Sequence, residues 1–504
     1  MAFVLFLATV LVVGFFAVST LKAMLRSFGL KRARRLVHLT TGSPMNGTPF
    51  SFASFEGLRN SPPVHKSSEQ AAQLGSIHYE WTMTGSPMVR VCDAEAARRL
   101  LIKHEAKDLK RTIFLPPGNI TSAEGEQWRT HRRVVQRALR RDFLNGVVDI
   151  ARAQAATVIA NTSASPTHLS VPLTYQWCVR AVEEMIVRIT WGDHPRSDEI
   201  LQAARDQLGR SLFSVLAYFV PVLARLPLQA ARRQANGRAV FQGVLLPLIR
   251  EEMARPRFQQ DSEAEDEQQL PSELRSERLS LIQLLIASNR LEDAVPLTEQ
   301  ELLSDAIAFL VGGNDSTGSA LASVLYFLAQ HPETQGRLRE ESRRIEIDPA
   351  NPFAGLEQLQ ELSFFIKECL RLHPPFSGAF PRTALMDLEV GGYHVPKGTS
   401  LFVDFSAIHR DPQHWEDPHH FDHLRFSTEA SATRFPHAFM PFSVGSRQCV
   451  AQRLSMVMLK VFASTLLRTH QVIAENSDEI EWVYQFGVCQ PRDGELGVRV
   501  HLSA

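Results

Sequence analysis

Phe442-Ser443-Val444-Gly445-Ser446-Arg447-Gln448-Cys449 ends on a single cysteine, with a glycine four residues and an arginine two residues before it. Gly445 lets another backbone approach where a Cβ would obstruct it, and Arg447 supplies positive charge that favours thiolate over thiol. Backbone N–H groups beside such a sulfur tune a bound metal. Downstream, Ala451-Gln452-Arg453-Leu454-Ser455-Met456-Val457-Met458-Leu459-Lys460 reads as a buried helix whose N-terminus faces the sulfur and stabilises negative charge there. A structural cysteine packed as a small hydrophobe also fits. The stretch alone leaves a haem-ligating thiolate and a buried structural thiol both open.

Three further groups of residues bear on that choice. Glu368 and Arg371, in Lys367-Glu368-Cys369-Leu370-Arg371-Leu372-His373-Pro374-Pro375, share one helix face at i, i+3 before two prolines end the helix. The flanking Phe364, Phe365, Ile366, Leu370 and Leu372 predict burial, so the pair needs further partners, and Arg425 is the candidate third member. The apolar run Leu302 to Ala329 contains Gly312-Gly313-Asn314-Asp315-Ser316-Thr317. Two readings fit it: a loosened helix that gives a small ligand room beside a carboxylate and hydroxyls, or a helix C-cap followed by a new N-cap. In Trp128-Arg129-Thr130-His131-Arg132-Arg133, Trp128 and Arg132 fall within about 40° of each other on a helix and offer an indole N–H and a guanidinium to one anion. Arg129, Arg133, Arg137 and Arg140 make an adjacent basic stripe, either a solvated face or a dock for an acidic protein. His419, His420 and His423 lack a cysteine partner at zinc spacing and read as structural or solvated.

The 504 residues carry 54 Lys and Arg against 54 Asp and Glu, so no global charge points to nucleic acid. Five scattered cysteines argue against a secreted disulfide framework. Ala2 to Val18 is apolar, Leu21 extends it, and Lys22, Arg26, Lys31, Arg32, Arg34 and Arg35 follow. That order predicts a retained anchor over residues 1–21 with the body on the cytoplasmic side, rather than a cleaved leader. The sequons at Asn46, Asn119, Asn161 and Asn314 are then expected to stay unmodified. Gly42 to Pro49, rich in turn residues, reads as a hinge that closes a basic segment, 22–50, before a body of 51–504. Gln259 to Glu277 predicts a solvated or disordered loop. Leu212 to Val220, Ala239 to Met253, Leu279 to Ala287 and Leu302 to Ala329 have helical periodicity; Leu388 to Val390 and Ser400 to Val403 read as strands. The fold class is mainly α (α+β), with small sheets.

Taken together, these motifs resemble the cytochrome P450 family of haem-thiolate monooxygenases, microsomal type, over essentially all of the chain after the hinge. The resemblance implies that Cys449 is the proximal metal ligand to haem b, within a Phe-x-x-Gly-x-Arg-x-Cys loop that also contains Arg447. It implies that Trp128, Arg132 and Arg382 bind the haem propionates, and that Glu368, Arg371 and Arg425 form the Glu-x-x-Arg group. Asp315 and Ser316 stand at the acid and hydroxyl positions of oxygen activation, with serine where threonine is usual and Thr317 as the rival hydroxyl. Ala451 replaces a frequent glycine, and His423-Leu424 a frequent Pro-Glu.

By this resemblance the chain is expected to insert one oxygen atom from O2 into an apolar small molecule: a terpenoid, polyketide, alkaloid or lipid of secondary metabolism. Its expected electron donor is NADPH-cytochrome P450 reductase, with cytochrome b5 as a further candidate, and its expected place a single-pass endoplasmic reticulum membrane. Candidate pocket walls are Ile113 to Pro117, Ala308 with Phe309, and Ser377 to Phe380. One rival is a same-fold isomerase or dehydratase that needs no reductase. The other, a non-catalytic haem sensor or carrier, has no use for the Asp315-Ser316 pair.

Overall fold

The computed structural model describes residues 31, 33–48, 63–81, 86–103, 118–163, 170–192, 196–208, 232, 236–237, 239–255, 279–291, 295–348, 351–475, 480–485 and 487–502. The expected anchor, the loop at 259–277, the helix at 212–220 and the pocket segment 113–117 lie outside the described residues. Among the described residues, no helix is long and apolar enough to cross a membrane.

The principal helices are α1 (Ala94–Lys103), α2 (Gly125–Ala138), α3 (Arg141–Ser163), α4 (Tyr175–Trp191), α5 (Glu299–Gln330), α6 (Gln360–Leu372) and α7 (Gln452–Thr469). Helix α5 runs unbroken for 32 residues, about 48 Å of rise. Its start is fixed by a capping box between Thr298 and Glu301, and its end at His331 precedes Pro332. The C-cap reading of Gly312-Gly313 is therefore overturned. Each interior glycine costs about 1 kcal/mol relative to alanine, and burial of nearly every side chain from Leu302 to Ala329 outweighs it. Gly313 has a packing reason, since a Cβ there would lie 2.9 Å from the Ile186 side chain of α4.

Around α5 a large apolar core gathers from α2, α3, α4, α6 and α7. A second core lies between α1 and a four-stranded sheet ordered β2 (Ile77–Trp81), β3 (Pro87–Val91), β8 (Ser400–Val403) and β5 (Arg382–Thr383). β3 and β8 are parallel and the other neighbours antiparallel. The expected strand β6 (Leu388–Val390) forms a hairpin with β7 (Tyr393–Val395), turning on Gly391 and Gly392 at φ 55° and 82°. Strand β4 (Ser170–Thr174) pairs with β12 (Glu495–Leu502), which also pairs with β9 (His470–Ala474); β10 (Trp482–Gln485) and β11 (Val488–Pro491) make a separate hairpin.

One further expectation is corrected. The Gly42-to-Pro49 hinge is, over its described part, a turn fastened to the body. Strand β1 (Val37–His38) pairs with β7, the Met45 N–H donates to the Leu36 carbonyl at 2.9 Å, and both side chains are buried. The helix expected over Ala239 to Met253 is present, with a π-turn at Phe241–Leu245 before it continues over Leu246–Ala254. Pro247 has no N–H to continue the ladder, which accounts for the change of winding.

Candidate functional site

The cysteine loop is shaped by its own backbone. The Cys449 N–H donates to the Phe442 carbonyl at 2.8 Å, Gln448 N–H to Gly445 at 3.1 Å, and Ser443 N–H to Met440 at 2.9 Å. Gly445 sits at φ +82°, and a Cβ on it would come within 2.7 Å of the Leu101 carbonyl at the end of α1. Both the left-handed conformation and the close approach call for glycine.

Side chains from α2 clamp this loop. Arg132 Nη1 donates to the Gln448 carbonyl at 2.7 Å. Arg447 donates to the Ala123 carbonyl at 2.9 Å and to Glu124 Oε2 at 2.7 Å, and its guanidinium lies 4.0 Å from the centre of the buried Trp128 ring. Trp128, Arg132, Arg447 and Cys449 are thus brought together. Arg382 is buried at the edge of the four-stranded sheet and donates to the Phe380 carbonyl at 2.9 Å.

Cys92, Cys178, Cys369 and Cys489 are buried, whereas the Cys449 side chain is open. Packing around it still removes enough water to push its thiol upward, while the Ala451 N–H and the charge of Arg132 oppose that shift. Ala451 is the N-cap of α7, so the helix expected to start beside the sulfur does so. Arg132 supplies positive charge at the sulfur, and the Arg447 guanidinium pairs with Glu124. A sulfur with an amide N–H and a guanidinium beside it, in a chain whose other cysteines are all buried, suits a metal ligand better than a packing residue.

Helix α5 presents Gly312, Asp315 and Ser316 outside the buried set, and a Cβ on Gly312 would meet nothing within 4 Å. Ser316 Oγ donates back to the Gly312 carbonyl at 2.7 Å. Thr317 is buried, and its hydroxyl lies 3.2 Å from Ser455 Oγ on α7, which ties α5 to the helix that follows Cys449. The two hydroxyls therefore have different surroundings.

Glu368 and Arg371 are both fully buried and joined by two hydrogen bonds of 2.7 and 2.8 Å. Arg371 also donates to the carbonyls of His409, Pro418 and His420, and Glu368 accepts the Asp422 N–H at 2.9 Å. Arg425 joins as expected, 3.5 Å from Glu368.

One pair had no sequence signal: His131 Nδ1 lies 2.6 Å from Asp305 Oδ2, both fully buried between α2 and α5. Asp305 Oδ1 also accepts the Ile120 N–H at 2.7 Å, and burial raises its carboxyl despite these partners. In the basic stripe, Arg129 and Arg133 pair with Glu126, and Arg137 donates to the Leu291 carbonyl.

The profile of the family described as "Cytochrome P450" matches residues 44–496. This chain belongs to the cytochrome P450 family. The cofactor of that family is haem held by a cysteine thiolate. Human "Cytochrome P450 4F12" is 36% identical over 208 residues, 40% of this chain and 39% of that protein, so this match spans well under half of the human chain. Mouse "Leukotriene-B4 omega-hydroxylase 3" is 29% identical over 430 residues, 77% of this chain and 76% of that one. A solved structure, "Retinoic acid bound cyanobacterial CYP120A1", superposes with a TM-score of 0.73 at 22% identity, covering 91% of this chain and 98% of the other. That likeness establishes the fold: a helix-rich P450 body with small sheets.

Proposed function

We propose that this P450 is a haem-thiolate monooxygenase that oxidises an apolar small molecule with O2 and electrons from an NADPH-dependent reductase. The observation that carries it is Cys449, the open cysteine among five, with the Ala451 N–H and Arg132 beside the sulfur. Haem on a thiolate supplies electron density that favours O–O cleavage. The remaining work falls to this chain's own side chains. Trp128, Arg132 and Arg382 would hold the propionates, Arg447 would stiffen the loop through Glu124 and Trp128, and Asp315 with Ser316 would deliver protons beside Gly312.

For substrate, the reading favours an apolar, lipid-like or terpenoid molecule. Phe376 and Phe380 expose apolar surface, and the mouse relative is named for hydroxylation of a leukotriene. An anchor over residues 1–21 would set the body on the cytoplasmic face of the endoplasmic reticulum, with the α2 arginines available to a reductase or cytochrome b5.

The test is turnover of the purified protein on apolar ligands selected by their binding spectra, with and without reductase and NADPH. Reductase-dependent product carrying one atom of labelled O2 supports the proposal. Product formed from a peroxide substrate without reductase would instead identify an isomerase or dehydratase.

A further inference from the structure

His409 links the buried Glu368–Arg371 pair to the cysteine loop. Its backbone carbonyl accepts from Arg371 Nη1 at 2.9 Å, and its ring Nε2 accepts the Met440 N–H at 2.9 Å. An acceptor at Nε2 puts the proton of the neutral ring on Nδ1. Among the described residues, that buried Nδ1 has no hydrogen-bond partner. Leaving a buried donor unsatisfied costs about 1–3 kcal/mol, so the site keeps an expensive histidine where an apolar ring would pack as well. The ring lies near-parallel to Phe405 at 6.1 Å and tilted to Phe439 at 5.4 Å, which fixes its plane. Burial, with Arg371 and Arg410 nearby, holds its pKa well below the ordinary histidine value, so the ring stays neutral and able to accept. From Met440 the chain of bonds continues: Ser443 N–H to Met440 O at 2.9 Å, then Cys449 N–H to Phe442 O at 2.8 Å.

We propose that His409 is a positioning residue for the cysteine loop: its imidazole, anchored through its own carbonyl by Arg371, holds the Met440 amide and so fixes the loop that presents Cys449. The inference rests on Cys449 being the haem ligand. It goes beyond that reading by giving a side chain outside the loop control over how firmly the thiolate is held.

The experiment uses the full-length holoprotein and follows the reduced carbon-monoxide spectrum over time, alongside unfolding stability. His409→Phe keeps the ring packing and removes the acceptor; His409→Gln keeps an acceptor at a similar reach. The expected result is conversion from thiolate-type to thiol-type spectrum about tenfold faster in His409→Phe, with His409→Gln within about twofold of wild type. A merely packing role would instead spare His409→Phe and weaken His409→Gln, and that outcome overturns the proposal. If His409→Phe does not retain haem, His409→Asn, whose shorter oxygen cannot reach Met440, takes its place. Fast conversion supports the proposal, and wild-type persistence overturns it. Absence of a thiolate-type band in wild type would mean that the ligand assignment itself is wrong, a distinguishable result.

Discussion

Arg371 grips both carboxylate oxygens of Glu368, at 2.7 and 2.8 Å, with no solvent access to either side chain. Removing one member of such a buried pair leaves an uncompensated charge, at a cost of about 3–5 kcal/mol. Arg371 also donates to the carbonyls of His409, Pro418 and His420, which with the two bonds to Glu368 makes five hydrogen bonds, more than the three donors of an ammonium can supply. Arg371→Lys keeps the charge but leaves at least two of these buried acceptors unpaired, and is expected to lose about 2 kcal/mol or more of stability and most of its haem. Denaturant unfolding together with haem content checks this; a change under about 1 kcal/mol would contradict it.

Gly445→Ala puts a side chain at φ +82° and 2.7 Å from a backbone oxygen that cannot swing away. A loss of at least about 2 kcal/mol is expected, together with weakened haem retention. Thermal unfolding and haem titration measure both effects.

Ser316 and Thr317 separate catalysis from packing. Ser316→Ala should leave haem and ligand binding nearly intact while diverting electrons from product to hydrogen peroxide, and Ser316→Thr should keep or improve coupling by restricting χ1. Thr317→Ala loses its contact with Ser455 and should cost about 1 kcal/mol of stability with coupling unchanged. Parallel measurement of NADPH, peroxide and product decides between them. Uncoupling in Thr317→Ala alone would move the relay to that residue.

Stability should fall on mild acidification. Burial holds His373 and His409 well below the ordinary histidine pKa, with Arg410 and Arg371 adding to it. Each therefore binds its proton more weakly folded than unfolded. Their contribution is complete above about pH 6.5 and is lost as pH falls below that, at up to about 1.4 kcal/mol per pH unit for each ring. Denaturant midpoints between about pH 7.5 and pH 5.5 test the slope. His373→Phe, which keeps the stack on Trp482, should make the slope shallower by up to one proton.

What the sequence revealed was local. The glycine and arginine before Cys449, the i, i+3 spacing of Glu368 and Arg371, and the i, i+4 spacing of Trp128 and Arg132 each lie within one loop or helix turn. The partners that complete them come from far along the chain: Gln448 is 316 residues from Arg132, and Glu124 is 323 from Arg447. No pattern in one sequence records such a meeting. The same limit explains the misread hinge. Gly42-Ser43-Pro44 announces a turn, but only the burial of Leu36 and Met45 against distant strands makes it part of the body. Gly312-Gly313 was ambiguous because its reason is Ile186, on another helix.

The central claim, that Cys449 holds the haem through its thiolate, is tested most directly by the reduced carbon-monoxide difference spectrum of the wild-type and Cys449→Ser proteins. A thiolate-type band in the wild type and its complete loss in Cys449→Ser are the expected results. A thiolate-type band that survives in Cys449→Ser would contradict it.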